Sequence, residues 1–253
     1  MIPATGSTLL TEPLRARLRS IDALRGLAIA GVVLFHIGWD LDFSGLLPGN
    51  LSRHPAWLLF GRSLAGTFMV LVGVSLALAH GSRIRWRPFF NRLWVIVAAA
   101  VAISAATRLV FPEAFIYFGI LHAIAAASLI GVFFVPLPAL TSFGAGAAML
   151  IFPSLFSDSL FDARWLAWIG FAETPPISND YVPIFPWAGL TLMGLGLTKA
   201  GIARGYDTWF LKHEPAGPTV MALGWLGRHS LMIYLLHQPI LLALILPTAW
   251  LVK

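Results

Sequence analysis

Long apolar runs separated by short polar breaks dominate the chain. Crossing about 30 Å of hydrocarbon takes about 20 mainly apolar residues, and runs of that order fall near 21–41, 57–80, 91–111, 115–135, 138–156, 182–201 and 224–250. The fifth is the weakest, rich in Gly and Ala and bounded by Pro136, Pro138 and Pro153. The seventh is long enough to tilt or to break near Pro239, because the residue before a proline resists the helical conformation. Loops are expected at 38–56, 157–181 and 202–218, with the turn punctuation Pro48-Gly49-Asn50 and Pro175-Pro176. No internal repeat is visible. The pattern predicts an all-α integral membrane protein, a polytopic bundle of about seven transmembrane helices. A tail over 1–19 precedes one domain over 20–253.

Charge orients the bundle. With an odd number of spans, one set of alternating loops carries Arg15, Arg17, Arg19, Arg83, Arg85, Arg87, Arg92, Lys199, Arg204 and Lys212. The other set carries mainly Asp40, Asp42, Asp158, Asp162, Glu173 and Asp180. The positive-inside rule puts the N-terminus in the cytoplasm. It also explains the net charge of +6 without nucleic acid, since the basic residues sit where lipid head groups would meet them. The first apolar run contains Asp22 and Arg25 and leads into further spans, so it reads as an uncleaved helix and not a signal peptide. A multi-pass protein of the inner or plasma membrane is expected, and copies could associate in the bilayer.

Composition agrees. Hydrophobic residues make up 58% and charged residues 11%, with mean hydropathy +0.82. A soluble domain carries about 25% charged residues. The absence of cysteine excludes disulfides, thiol catalysis and cysteine-based metal sites. No HExxH spacing suggests a metal, and no GxSxG elbow or phosphate-binding glycine loop suggests esterase or nucleotide chemistry.

Ionisable groups inside the spans are costly and therefore informative. The first helix holds Asp22, Arg25 and His36. Eleven residues at about 100° each bring His36 to within about 20° of Arg25, about 16 Å further along. That stripe reads either as a helix-end ion pair plus an interfacial histidine, or as the lining of a polar path through the membrane. Tyr117 and His122 add polarity near the fourth span. The last span adds Arg228 and His229, then Ser230, Tyr234 and His237 on one face. Beyond His36 lie Trp39-Asp40-Leu-Asp42, and Arg53-His54-Pro55 closes the first loop. Imidazole moves protons at neutral pH, and a carboxylate such as Asp40 can orient it. Gly61, Gly66, Gly73, Gly194 and Gly196 read as helix-packing positions.

Several of these words belong together. Ser20-Ile-Asp22-Ala-Leu-Arg25-Gly26, Phe35-His36-Ile-Gly-Trp39-Asp40, Phe68-Met-Val-Leu-Val-Gly73-Val-Ser75 and Tyr117-Phe-Gly119-Ile-Leu-His122 occur in order. Tyr181-Val-Pro183-Ile-Phe-Pro186-Trp187 and Leu226-Gly227-Arg228-His229-Ser230-Leu-Met-Ile-Tyr234-Leu-Leu-His237-Gln238-Pro239 follow. The set resembles the catalytic domain of heparan-alpha-glucosaminide N-acetyltransferase over about 19–245, within a wider group of transmembrane acyltransferases. In that wider group, an arginine followed eleven residues later by a histidine marks the first helix, which Arg25 and His36 match. In the heparan enzyme the catalytic histidine belongs to the loop before the second helix, the place held here by His54.

The resemblance implies acetyl transfer from cytoplasmic acetyl-CoA to an amine or hydroxyl of an extracytoplasmic sugar or glycan. It implies His36 or His54 as base or acetyl carrier with Asp40 orienting it. Arg25, Asp22, His122, Arg228, Tyr234 and His237 are then expected to form the acetyl-CoA site, with Arg92 a further phosphate partner. A proton-coupled small-molecule transporter is the alternative, although transporters often show inverted repeats and this chain shows none.

Overall fold

The computed structural model describes residues 18–47, 49–81 and 83–252. Arg15, Arg17 and the rest of the tail before residue 18, together with Pro48, lie outside the described residues. The described residues form helices and connecting turns, with one isolated bridge between Phe118 and Tyr181 and no strand. The helices are α1 (Arg19–Phe43), α2 (Pro55–His80), α3 (Trp86–Val110), α4 (Ile120–Phe134), α5 (Ala139–Leu155), α6 (Arg164–Ala167), α7 (Ile184–Ala203), α8 (Tyr206–Lys212), α9 (Pro218–Arg228) and α10 (Ser230–Val252).

Among the described residues, four helices are long and apolar enough to cross a membrane: α1, α2, α3 and α10. The all-helical, membrane-spanning class expected from the sequence is therefore present, with four such helices among the described residues where about seven spans were expected. At 1.5 Å per residue, α4 and α5, with 15 and 17 residues, reach only about 22 and 26 Å. The fifth expected span is short for the reason its sequence gives: Pro138 precedes its first residue and Pro153 sits in its last turn. Apolar side chains such as Leu34, Trp94, Leu109, Leu140, Leu244 and Trp250 are exposed, as a hydrocarbon environment permits.

Two differences from the sequence reading matter. The stretch expected as a polar loop over 202–218 contains α8 and the first residue of α9. The last span breaks at His229 and not near Pro239: α10 runs through Pro239 and Pro247. The physical reason is local to His229. Its backbone N–H is shared between the carbonyls of Trp225 and Leu226, and its ring lies against Trp225, so α9 closes there.

Glycine sets the packing. A Cβ on Gly73 would collide with the Thr191 carbonyl, and one on Gly194 with the Val70 carbonyl, so α2 and α7 touch backbone to backbone. The buried Thr191 hydroxyl donates to the Met69 carbonyl at 2.8 Å across the same contact. Gly61 receives the Phe35 ring of α1, and Gly196 faces Ala139 and Phe143 of α5. These are the roles anticipated for the glycines. Gly26 and Gly227 were not anticipated, yet each meets the other helix's backbone, at Leu223 and Asp22 respectively. The Glu214 carboxylate accepts from the backbone N–H of Arg19. Further along, His237 meets His36 and Gln238 meets Asp40, so α9 and α10 run parallel to α1.

Candidate active site

The axial order of these contacts defines two ends of the bundle. The basic end holds the start of α1, the end of α2, the start of α3 and the end of α7. The acidic end holds the end of α1, the start of α2 and the loops around Tyr117 and Asp180.

Asp22, Gly26, Ile29, His36 and Asp40 fall within about 40° of one line along α1, and all but His36 are fully buried. This is the stripe that α9 and α10 cover. Arg25 lies at its edge. One guanidinium nitrogen donates to the Asp22 carboxylate at 3.2 Å and another to the Ser75 hydroxyl of α2 at 3.0 Å. Asp22 thus positions Arg25. Ser75 also lines a cavity of about 150 Å³ with His80, Arg92 and Ser128. Two arginines therefore attend one small polar-edged cavity at the basic end. A second cleft of about 290 Å³ lies between α1, α2, α7 and α8, with mainly apolar walls such as Leu78, Leu197 and Phe210. Neither cavity includes His36.

At the acidic end, the rings of His36 and His237 stand 4.8 Å apart, centroid to centroid. The His237 Nδ1 lies 2.7 Å from the Tyr234 carbonyl. A carbonyl only accepts, so Nδ1 carries the proton and Nε2 of the neutral ring keeps its lone pair. That Nε2 is buried with no partner. Asp40, 1% exposed, accepts from the Gln238 side-chain amide at 2.7 Å through Oδ1 only. Its Oδ2, the Gln238 Oε1 and the His36 Nδ1 are also buried without partners. Each such atom costs about 1–3 kcal/mol unless something fills it. Four of them lie on this one contact between α1 and α10. Such an arrangement offers general-base lone pairs beside a carboxylate, for a proton that arrives with a ligand.

The other expected residues take supporting places. The exposed His54 caps α2, with Nδ1 accepting from the Ala56 N–H at 3.3 Å. His122 accepts from the Gly119 N–H through Nδ1, while its Nε2 lies 3.2 Å from the Ser104 hydroxyl. Tyr117 donates to the Pro176 carbonyl and joins two loops. Its phenol is pushed up to about 12 by burial, partly offset by the Arg164 charge. The Tyr234 hydroxyl donates to the Asp180 carboxylate at 3.2 Å, and the same oxygen accepts from the Ile120 N–H at the start of α4. Burial raises the Asp180 carboxyl above its ordinary range despite both bonds. Arg228 is exposed at the end of α9, with a guanidinium nitrogen near Gly224.

Sequence reasoning did not single out Gln238 or assign Asp180 a role. The word His237-Gln238-Pro239 placed Gln238 next to a chosen histidine, but its partner Asp40 is 198 residues away. Asp180 was visible only as loop charge.

An apolar helical bundle with arginines at one end and coupled imidazoles at the other defines a membrane protein with a buried polar site. The profile of the heparan-alpha-glucosaminide N-acetyltransferase catalytic family matches residues 17–239, and the chain belongs to that family. An acetyltransferase-type function goes with it, with acetyl-CoA as the family's donor and a sugar as its acceptor. No curated protein and no solved structure matches the chain.

Proposed function

We propose that the protein is a membrane-embedded acetyltransferase. It takes the acetyl group from acetyl-CoA at its basic, cytoplasmic end and delivers it to a sugar amine or hydroxyl at the opposite face. One observation carries this reading: the unpartnered atoms of His36, Asp40, His237 and Gln238, gathered at one helix contact. The family match favours acetyl transfer over the transport alternative.

Arg25 and Arg92 meet the CoA phosphates at the cavity beside Ser75, where charge-assisted bonds to phosphate are strong. Arg228 adds positive charge on α9. The thioester then has to cover about 16 Å of helical rise to His36, a distance suited to the extended pantetheine arm. At the acidic end an imidazole takes the proton from the acceptor as it attacks the thioester carbonyl. The new C–N or C–O bond forms, the C–S bond breaks, and the imidazolium returns its proton to the CoA sulfur. His36 is favoured over His54 as that base, since its free Nδ1 is buried among the unpartnered atoms while His54 caps a helix. His237 adds a second lone pair. Asp40 stabilises the imidazolium by charge, its Oδ1 being committed to Gln238. His122 and Tyr234 hold the frame around the site.

The test is transfer of labelled acetyl groups from acetyl-CoA to glucosamine-bearing acceptors by purified protein. Transfer by the wild type and its loss in His36→Ala support the reading. Wild-type rates in His36→Ala, His54→Ala and His237→Ala alike would sink the histidine mechanism.

A further inference from the structure

The donor and acceptor inventory of the α1–α10 contact is lopsided. Gln238 presents its amide N–H to Asp40 Oδ1, because two facing oxygens would repel. This turns the Gln238 carbonyl away, and Oε1 is left buried and unpartnered. Asp40 Oδ2 is in the same state. His237 Nε2 is a third acceptor, since its ring proton is spent on the Tyr234 carbonyl. Three fixed acceptors therefore lie along the one contact between α1 and α10, and no described side chain donates to them. Only a ligand or water carrying several N–H or O–H groups completes the site.

We propose that Gln238 is a specificity-determining residue: with Asp40 it forms a subsite that reads a pair of hydrogen-bond donors on one polyhydroxylated acceptor. This deepens the acetyltransferase reading and rests on it for the word acceptor, but the subsite is a binding claim with its own readout. Gln238 acts in two ways. It fixes the Asp40 carboxylate so that Oδ2 faces the ligand, and it supplies Oε1 as the neighbouring acceptor. A hydroxyl and an ammonium satisfy the same atoms, so the shared requirement is the donor hydrogen. An O-methylated sugar lacks it and leaves the buried oxygens unpaired, a penalty that makes such sites selective.

Binding of methyl glucoside, methyl glucosaminide and their permethylated counterparts to the purified full chain in detergent tests this by calorimetry. The free glycosides are expected to bind about tenfold or more tightly than the permethylated ones. If the glucosaminide outbinds the glucoside, an ammonium fills one position; equal binding assigns both positions to hydroxyls, and either result supports the subsite. Gln238→Met, similar in shape but with neither amide group, is expected to lose about tenfold for the free glycosides. Asp40→Asn places a donor where Oδ2 accepted, so the preference over the methyl ethers collapses or reverses, which a purely structural role would not produce. Equal binding of free and permethylated glycosides, binding of neither, or an unchanged preference in both folded variants overturns the inference. Acetyl transfer in the same samples is scored separately: selective binding without transfer removes the acetyltransferase reading and leaves the subsite standing.

Discussion

The two ends of α1 carry the same kinds of residue in opposite states. At the basic end, Asp22 and Arg25 pair and Arg25 reaches on to Ser75, beside a cavity. At the acidic end, His36 and Asp40 meet His237 and Gln238, and each of these four residues keeps one buried atom without a partner. A satisfied guanidinium at a cavity edge can hold an anion without being consumed. An imidazole nitrogen buried without a partner in a helix contact is placed to take a proton from a ligand. On the proposed acetyltransferase reading, the difference assigns donor binding to one end and acceptor binding with proton transfer to the other.

That contrast is sharpest in kinetics, and the largest effect is expected at the chemical end. His36→Ala should lower the rate of acetyl transfer by about 10²–10⁴, the usual worth of a positioned acid–base group, with little change in acetyl-CoA affinity. Arg25→Ala should do the reverse, weakening acetyl-CoA binding by about tenfold or more through the loss of a charge-assisted bond. Steady-state kinetics at varied acetyl-CoA separate the two. If both variants moved the same parameter, the division of labour between the ends would be wrong.

The next effect concerns what keeps the ends in register. Gly26 and Gly227 let α9 touch α1, and α10 follows from α9. Gly227→Leu should destabilise by about 1–3 kcal/mol as overpacking and lower transfer by separating His237 from His36. Gly66→Ala is the control, since its Cβ would meet side-chain ends and no backbone, Leu190 at 3.3 Å and the Trp187 ring at 3.9 Å. Thermal melting and transfer assays on the pair check it. A Gly227→Leu protein as stable and active as Gly66→Ala would show that this contact does not set the register.

Much of this was legible in the sequence because it depends on helical geometry alone. The apolar runs marked α1 to α5 and α7 to within about five residues, while α6 and α8 lay in stretches read as loops and the last run proved to be two helices. A turn of about 100° per residue put Asp22, Arg25 and His36 on one side of α1. The break at His229 was less legible, since proline is the usual interrupter and here the helix passes through Pro239. The state of each polar group was not legible at all. His36 and His54 stand at the two ends of the first expected loop, yet one faces α10 and the other caps a helix. Burial and partners come from long-range contacts, such as those of Asp40 with Gln238 and Asp180 with Ile120, and no local pattern encodes them.

The smallest expected effect separates two aspartates at the acidic end. Asp180 has partners in the Ile120 N–H and the Tyr234 hydroxyl, while one oxygen of Asp40 has none. Burial still raises the Asp180 carboxyl above the ordinary 3.8. A raised pKa means the folded state holds the proton more tightly than the unfolded chain. Its contribution to stability is therefore complete below about pH 4 and is lost as pH rises through the folded value. Asp180→Asn keeps an oxygen for the two donors and removes the titration. Its melting temperature should drift less than that of the wild type between pH 4 and neutrality, by about 2–4 °C in a chain of this size. Acetyl transfer should change little, because the Asp180 carboxylate is committed to the Ile120 N–H and the Tyr234 hydroxyl. Parallel melting curves for the two proteins across that range would mean that Asp180 is not held protonated by the fold. A transfer rate that fell as far as in His36→Ala would move Asp180 into the reacting site, and the contrast between a satisfied and an unsatisfied aspartate would then lose its meaning.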